Sequence, residues 1–336
     1  MPKESIPNSE SVDVLIHSTG GDPLAAWKLM SVLRERFKRV DVLVPYMAFS
    51  AATLFTLGAD EIVLHPHASL GPIDPQIYIN QPDRTVRQFA YEDVGAFIRF
   101  LATDVRVTEQ VHVSAIIEKL FSVVDPVNVG AAKRASELSS SVGERLLSMH
   151  MITSEDKARA KEIAQNLDKS FFAHGDAVSR TRARELQLKI AEDDTVLNSL
   201  IWNAYVGLET YMELRKIFVP LQHYLADRAA AASLLPPGSI LLPPNTPPQV
   251  VQQIWNAVMQ NAVQRGPGIE VPYLLVNSVV ESVRTASENR TIGKMSAVRM
   301  PNGEIQLSVT DTESGWRSVE TPPLTGGSDP SAPLLT

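Results

Sequence analysis

Two short apolar runs near the start of the chain each end at a turn of small residues. The first run, Val12 to Ile16, precedes the pair Gly20-Gly21, and the second, Val40 to Pro45, precedes a group of small residues around Ser50. Runs this short and this rich in β-branched residues predict buried strands rather than helices. Each strand is expected to turn sharply where the small residues begin.

The segments after these turns have the apolar spacing of helices. Residues 23–37 and 51–57 are predicted helices, and a third strand is expected at Glu61 to Leu64. Strands and helices that alternate with short connections favour a parallel sheet with right-handed crossovers. The sequence therefore predicts an α/β fold.

Beyond residue 83 the pattern becomes mainly helical, and a Pro-rich stretch marks the main expected boundary. Helices predicted to flank the sheet cover residues 86–105, 110–123, 130–151 and 155–166. Residues 273–286 fit a helix or a strand, and Asn302-Gly303 predicts a hairpin. The predicted organisation is a main α/β domain (1–194), a helical extension (195–235), a Pro-rich linker (236–248), a small α+β module (249–320) and a disordered tail (321–336).

The composition argues against several functional classes. The 336 residues carry a net charge of −7, which does not favour a nucleic-acid partner. The chain has no cysteine, so it can form no disulfide, thiolate metal site or cysteine nucleophile. No run approaches the ~18 apolar residues of a membrane span, and the first residues lack the apolar core of a secretion signal. A cytoplasmic protein without a membrane span is expected.

Ser50 has two interpretations on residue chemistry alone. As a nucleophile, a serine hydroxyl needs a base to take its proton and N–H donors to stabilise the oxyanion that follows. The N–H of Ala51 is one such donor, and the Gly20-Gly21 turn is a source of another. Alternatively, Ser50 is a helix N-cap and the glycines only form a tight turn. The residues leave both interpretations open.

Four motifs in the first 80 residues carry a resemblance to a known family. They are Ser18-Thr-Gly-Gly21, Ala48-Phe-Ser-Ala-Ala52, Ala59-Asp-Glu-Ile-Val63 and Leu70-Gly-Pro-Ile-Asp-Pro-Gln76. With these motifs the segment resembles the Clp-protease and signal-peptide-peptidase class of serine peptidases, and most closely its serine dehydrogenase proteinase branch. Weaker similarity continues to about residue 190. The resemblance implies a crotonase/ClpP-like spiral of βαβ units with flanking helices, which assembles into homo-oligomers.

The same resemblance implies roles for particular residues. Ser50 would be the nucleophile, and the N–H groups of Gly21 and Ala51 would form the oxyanion hole. The implied activity is hydrolysis of peptide or protein substrates without a metal or cofactor. Any dependence on ATP would come from a partner, since the chain has no Gly-x-x-x-x-Gly-Lys-Ser/Thr pattern.

The general base does not follow from the resemblance. Clp-type peptidases use a histidine about two dozen residues after the serine, and the corresponding stretch here contains Asp74. Signal-peptide-peptidase types use a lysine from a later helix, but no lysine occurs between Lys38 and Lys119. Asp74 and His67 are therefore the local candidates. The carboxylate needs burial to raise its pKa, whereas an imidazole titrates near neutrality.

Each candidate base also has a structural interpretation. Asp74 lies between two prolines, where a carboxylate often caps a turn. His65 and His67 fit surface positions at a strand end, and two histidines alone are a weak signal for a metal site. More distant candidates are Lys119, Lys133 and His174.

Two other function classes are weighed against the peptidase. A non-catalytic scaffold on the same fold is favoured by the missing base. It is also favoured because Val12 follows closely on Met1, whereas crotonase-like domains usually have a strand and a helix before the Gly-Gly strand. A shortened start, or a sheet edge that a partner fills, would explain this. An acyl-CoA-processing crotonase is disfavoured, because Ser50 lies where those enzymes need only a backbone donor.

Overall fold

The computed structural model describes residues 9–80, 86–122, 124–169, 177–234, 242–264, 268–283, 285–300 and 303–319. The chain divides into two compact units, Met1–Val206 and Gly207–Thr336. His174, the predicted tail and residues 236–241 of the predicted linker lie outside the described residues.

The first unit mixes strands and helices along its whole length. Its strands are β1 (Ser11–Leu15), β2 (Arg39–Val44), β3 (Met47–Ala48), β4 (Glu61–Leu64), β5 (Ser69–Leu70), β6 (Gln76–Asn80) and β7 (Val86–Ala90). Its helices are α1 (Pro23–Arg36), α2 (Ala51–Leu57), α3 (Tyr91–Thr103), α4 (Gln110–Phe121), α5 (Pro126–Leu147), α6 (Ser154–Lys169), α7 (Arg180–Glu185) and α8 (Thr195–Tyr211), the last of which crosses the division between the units. The expected α/β class is confirmed.

A parallel sheet of order β1-β2-β4 forms the centre of this unit. The strands align so that Val12 faces Val40 and Val42 faces Ile62 across the sheet. Val40 and Val42 are fully buried, as the β-branched runs predict. The predicted strand 61–64 and the predicted helix 51–57 have the expected bounds.

A second, narrower strip of pairing continues the strands beyond this sheet. Ser18, past the end of β1, pairs with Ala48 of β3, and β3 pairs in parallel with β5. Leu70 of β5 then pairs with Val178. The strip brings the turn after β1 beside the turn after β3, so it positions both small-residue turns.

Local sequence explains why α1 and α2 start where they do. Asp22 caps α1 by accepting a hydrogen bond from the N–H of Leu24, and Pro23 occupies the first helical position, where its missing N–H costs nothing. All seven residues of α2 are buried, and this short helix packs against α1, α5 and β3.

An ion pair holds the far end of α2. Arg34 of α1 donates to the Asp60 carboxylate and to the Gly58 carbonyl oxygen, both at 2.6 Å. The same carboxylate accepts from the N–H of Val40 at 2.8 Å. Burial raises the pKa of Asp60, but these donors outweigh it and the net pKa is lowered. Asp60 therefore ties α1, β2 and the end of α2 together in its ionised form.

One predicted helix is wrong at its start. Residues 86–90 form β7, which pairs antiparallel with β6, and helix α3 begins only at Tyr91. The helical spacing of this segment is a local preference, and pairing with a neighbouring strand overrides it.

The described residues of the second unit form three helices beyond α8 and an antiparallel sheet. Its helices are α9 (Pro220–Ala226), α10 (Arg228–Ser233) and α11 (Pro248–Gln264), and its strands are β8 (Val271–Glu281), β9 (Ala286–Arg299) and β10 (Ile305–Val319) in the order β10-β9-β8. The stretch left open between helix and strand is therefore largely strand β8. Tyr224, Val271, Tyr273 and Met295 belong to the small core of this unit. Across the described parts of both units, no helix has the length and apolar character needed to cross a bilayer.

Candidate active site

Ser50 occupies the junction between β3 and α2 in an unusual backbone conformation. Its φ is +53° and its ψ is −119°, a region that residues other than glycine rarely adopt. Ser50 stands at the N-cap position of α2, yet its side chain makes no capping hydrogen bond. The Ser50 hydroxyl therefore does not cap the helix, which is the role that the alternative interpretation of this serine requires. A strained serine at a sharp strand-to-helix turn is the arrangement of a nucleophile elbow.

Gly20 packs directly against this turn. A Cβ on Gly20 would come within 2.7 Å of both the Phe49 carbonyl oxygen and the Ser50 Cβ, and its φ is +113°. Only glycine fits such a close approach at such a backbone angle. The two small-residue turns recognised in the sequence thus meet in space.

Hydrogen bonds to Ser18 fix this contact. The Phe49 N–H donates to the Ser18 carbonyl oxygen at 3.0 Å, and the Gly20 N–H donates to the Ser18 hydroxyl oxygen at 3.1 Å. The Gly20 N–H is therefore already engaged. Gly20 contributes to the site by letting its backbone lie against the turn that contains Ser50.

The N–H groups of Ala51 and Gly21 are placed differently. Ala51 is the first residue of α2, where a backbone N–H has no acceptor within the helix. Gly21 is exposed, and a Cβ built on it would meet no atom within 4 Å. Both residues border the turn that carries Ser50, with open space beside Gly21.

Asp74 lies four residues beyond the end of β5, and Ser50 lies two residues beyond the end of β3. The two strands pair in parallel, with Ala48 opposite Leu70, so both residues follow the same ends of neighbouring strands. The Gly71 N–H donates to the Ala48 carbonyl oxygen at 3.0 Å. Asp74 itself is half-buried.

His67 lies in the turn that precedes β5, two residues before Ser69. Its ring packs at the edge of Trp202 of α8, with ring centroids 5.5 Å apart. His65 stacks on the same Trp202 at 4.7 Å, and its Nδ1 accepts a hydrogen bond from the N–H of His67 at 3.1 Å.

The electrostatic setting of His65 favours its neutral form. Burial lowers the pKa of His65, and the neighbouring His67 and Arg180 lower it further, against a smaller opposing effect of Asp193. A neutral ring is also required for Nδ1 to accept the hydrogen bond from His67. His65 thus packs in an aromatic cluster as a neutral ring.

The two lysines weighed as distant bases are exposed on other helices. Lys119 lies in the last turn of α4, and Lys133 of α5 pairs with Glu137 on the same helix at 3.6 Å. Across the described residues, no side chain forms a hydrogen bond with the Ser50 hydroxyl. The described part of the chain also shows no cluster of histidine and acidic residues that could hold a metal.

Sequence reasoning missed Thr53. This residue is fully buried in α2, and its hydroxyl bonds to backbone groups at the ends of both β3 and β5. A threonine within an apolar helix of seven residues was the available signal, since a buried hydroxyl needs a partner.

Two cavities lie elsewhere on the first unit. One of about 630 Å³ covers one face of the sheet and is lined by carboxylates, among them Asp13, Asp41 and Glu61. The other, of about 390 Å³, is lined by residues at the far end of α2 and by His150. Neither of these two cavities includes Ser50, which is half-buried.

The sequence around this junction matches a known family. Residues 3–95 match the ClpP-like SDH-type serine proteinase family. The match includes both turns and Asp74, so the resemblance to this peptidase family is confirmed over that segment.

Two curated relatives match a shorter part of the chain. Both are uncharacterized proteins of Methanocaldococcus jannaschii, 38% and 39% identical over 71 residues, which is 21% of this chain. The matched segments cover 24% and 25% of these relatives, so the chain spans about a quarter of the length of the curated relatives it matches.

Among solved structures, the chain is similar to 1510-N, a membrane-bound stomatin-specific protease determined in a mutant form. The two chains are 14% identical, with a TM-score of 0.33. The alignment covers 56% of this chain and 68% of the other.

Proposed function

We propose that this protein is a serine peptidase that hydrolyses peptide bonds through an acyl-enzyme on Ser50. The family match over residues 3–95 supports a peptidase. The observation that carries the assignment to Ser50 is its strained backbone, with φ +53° and ψ −119° and no capping bond. Strain of this kind costs about 1–3 kcal/mol and persists at functional sites, where it aims a side chain.

The proposed reaction has two steps. The Ser50 Oγ attacks the carbonyl carbon of the substrate, and the base takes the hydroxyl proton. The N–H groups of Gly21 and Ala51 stabilise the oxyanion of the tetrahedral intermediate, which collapses as the C–N bond breaks and the amine leaves with that proton. Water then attacks the Ser50 ester and gives up a proton to the base, releasing the carboxylic acid and the free serine hydroxyl.

Asp74 is the proposed base in preference to His67. This choice is supported by the parallel pairing of β3 with β5, since Ser50 follows the end of β3 and Asp74 follows the end of β5, whereas His67 precedes β5 and packs against Trp202. The absence of a hydrogen bond to the Ser50 hydroxyl within the described residues does not exclude this role, because catalytic hydrogen bonds often tighten only when substrate binds.

The repeated pattern of the first unit supports the finer fold proposal. Strand β2, the strip strand β3 and helix α2 follow one another, as do strand β1, the bridge at Ser18 and helix α1. We propose that these units form the crotonase/ClpP-like spiral, followed by the small module of residues 249–320. The family resemblance further implies a homo-oligomer. Light scattering would measure the mass of this assembly in solution.

The peptidase proposal is tested with a peptide library prepared by digesting a whole proteome. Purified protein and its Ser50→Ala variant are incubated with the library, and new peptide termini are identified by mass spectrometry. Cleavages made by the wild type and absent with Ser50→Ala support the proposal. Cleavages that persist in the variant contradict the role of Ser50.

A second candidate function is a non-catalytic scaffold on the same fold. It is favoured by one observation, namely that no side chain in the described residues is bonded to the Ser50 hydroxyl. A folded wild-type protein that cleaves nothing in the library, under conditions where a control peptidase does, would favour the scaffold.

A further inference from the structure

The hydroxyl of Thr53 connects the two strand ends that flank the proposed site. Thr53 is the third residue of α2 and is fully buried. Its Oγ1 lies 2.7 Å from the Ala48 carbonyl oxygen and 2.8 Å from the Gly71 carbonyl oxygen, and it accepts from the Gly71 N–H at 3.1 Å. A single hydroxyl thus satisfies backbone groups on two strands.

These backbone groups belong to the segments that carry the two reacting side chains. Ala48 ends β3, two residues before Ser50, and Gly71 follows β5, three residues before Asp74. The hydroxyl has one proton for two acceptors, so it donates to them alternately or in a shared bond. Its lone pair receives the Gly71 N–H, which is shared with the Ala48 carbonyl oxygen at 3.0 Å, and the bond to Thr53 ties that segment to α2.

Two further contacts position Gly71 and the residues that follow it. A Cβ on Gly71 would lie 2.8 Å from the Phe49 ring, so the Phe49 side chain packs directly on the Gly71 backbone. One residue past Pro72, the Ile73 N–H donates to the Leu167 carbonyl oxygen at 3.1 Å, which anchors the segment on its other side. Between these anchors, Thr53 is the side chain that bonds Gly71 to the helix following Ser50.

We propose that Thr53 is a positioning residue that sets the Asp74 segment relative to Ser50. This inference rests on the proposed function, since it gives Thr53 a role in the chemistry of the same site. Thr53 touches no reacting atom and acts through Ala48 and Gly71. Removal of the Thr53 hydroxyl would leave the nucleophile and the base in the chain, but the distance and orientation between them would no longer be fixed.

Thr56 provides a matched control one turn further along. It is also fully buried in α2, but its hydroxyl donates at 2.7 Å to the Thr53 carbonyl oxygen, within the same helix. Thr56→Val removes a buried hydroxyl of the same kind without touching the strand ends. Thr53→Ser keeps the hydroxyl and loses only a methyl group.

The first measurement is hydrogen exchange followed by mass spectrometry on residues 69–74, whose exchangeable amides include Gly71. Thr53→Val is expected to speed exchange in this segment about fivefold or more, which corresponds to the loss of one hydrogen bond of ordinary strength. Thr56→Val and Thr53→Ser are expected to leave it near the wild-type rate. Equal exchange in Thr53→Val and Thr56→Val would overturn the inference, whatever the activity of the protein.

The second measurement is the rate of covalent labelling by a fluorophosphonate probe across a range of pH. Thr53→Val is expected to label roughly 10- to 100-fold more slowly than the wild type and with a displaced pH profile, because small displacements of reacting groups have effects of this size. Thr53→Ser should restore both the rate and the profile. Faster exchange with an unchanged rate and profile would overturn the positioning role. If the wild type itself is not labelled, the proposed function fails, and the exchange comparison decides the inference by itself.

Discussion

Gly20 lies so close to Ser50 that a methyl group on Gly20 would come within 2.7 Å of the Ser50 Cβ. The contact joins residues thirty positions apart in the chain, one after β1 and one after β3. It leaves no room for a side chain at position 20, next to the rare backbone conformation of Ser50. The geometry of the site therefore depends on packing between two turns.

Replacing Gly20 by alanine tests this dependence. Gly20→Ala is expected to lower the free energy of unfolding by about 2 kcal/mol or more, because the new Cβ would meet the Phe49 oxygen at a positive φ. Urea unfolding measures the change. The control is Gly130→Ala in α5, where a Cβ meets nothing within 4 Å and the helix should gain up to about 1 kcal/mol. A harmless Gly20→Ala substitution would show that the turns are not packed as described.

Substitutions of Ser50 separate a strained nucleophile from a helix cap. Loss of a capping serine to alanine costs typically ~1 kcal/mol, but Ser50 makes no capping bond, so Ser50→Ala should change stability by less than about 0.5 kcal/mol. Ser50→Gly should be about 1 kcal/mol more stable than Ser50→Ala, because glycine relieves the strain at φ +53°. Thermal and urea unfolding compare the two variants. A marked loss in Ser50→Ala, recovered by Ser50→Asp or Ser50→Asn, would instead identify a cap.

The identity of the base is tested by paired variants. Asp74→Asn is expected to slow fluorophosphonate labelling by about 10²–10⁴-fold, the usual contribution of a general base. His67→Gln should label at close to the wild-type rate, since His67 packs on Trp202 away from the turn. Labelling rates near neutral pH decide between them. The reverse pattern would assign the base to His67.

Acid sensitivity is expected from His65. Its pKa in the folded state is lowered, chiefly by burial, so below its ordinary value of about 6.5 the unfolded state binds the proton more readily. The free energy of unfolding should therefore fall as the pH drops below about 6.5, and His65→Gln should make this slope shallower. His150, whose pKa burial also lowers, leaves part of the slope in place. An unchanged slope in His65→Gln would contradict the assignment.

The sequence predicted the elements that local chemistry determines. The parallel strands, the helix of residues 51–57 and the proline at the start of α1 follow from short apolar runs and small-residue turns. The conformation of Ser50 could not be predicted in this way, because it occurs in a turn that packs against Gly20, which is distant in the chain.

The relation of the candidate bases to Ser50 also needed the structure. Asp74 lies four residues after β5 and His67 lies two residues before it, and the parallel pairing of β3 with β5 distinguishes them, because Ser50 and Asp74 both follow the ends of paired strands. The strand β7 was missed for a similar reason, since its partner β6 overrides a local helical preference. Thr53 carried only the weak signal of a hydroxyl inside an apolar helix.

The most direct test of the central claim is covalent labelling of Ser50. The purified, folded protein is treated with a fluorophosphonate probe, and its intact mass is compared with that of Ser50→Ala, followed by mapping of the modified peptide. The account predicts one adduct per chain, located on Ser50 and absent from the variant. An unlabelled wild type, or an adduct that persists in Ser50→Ala, would contradict it.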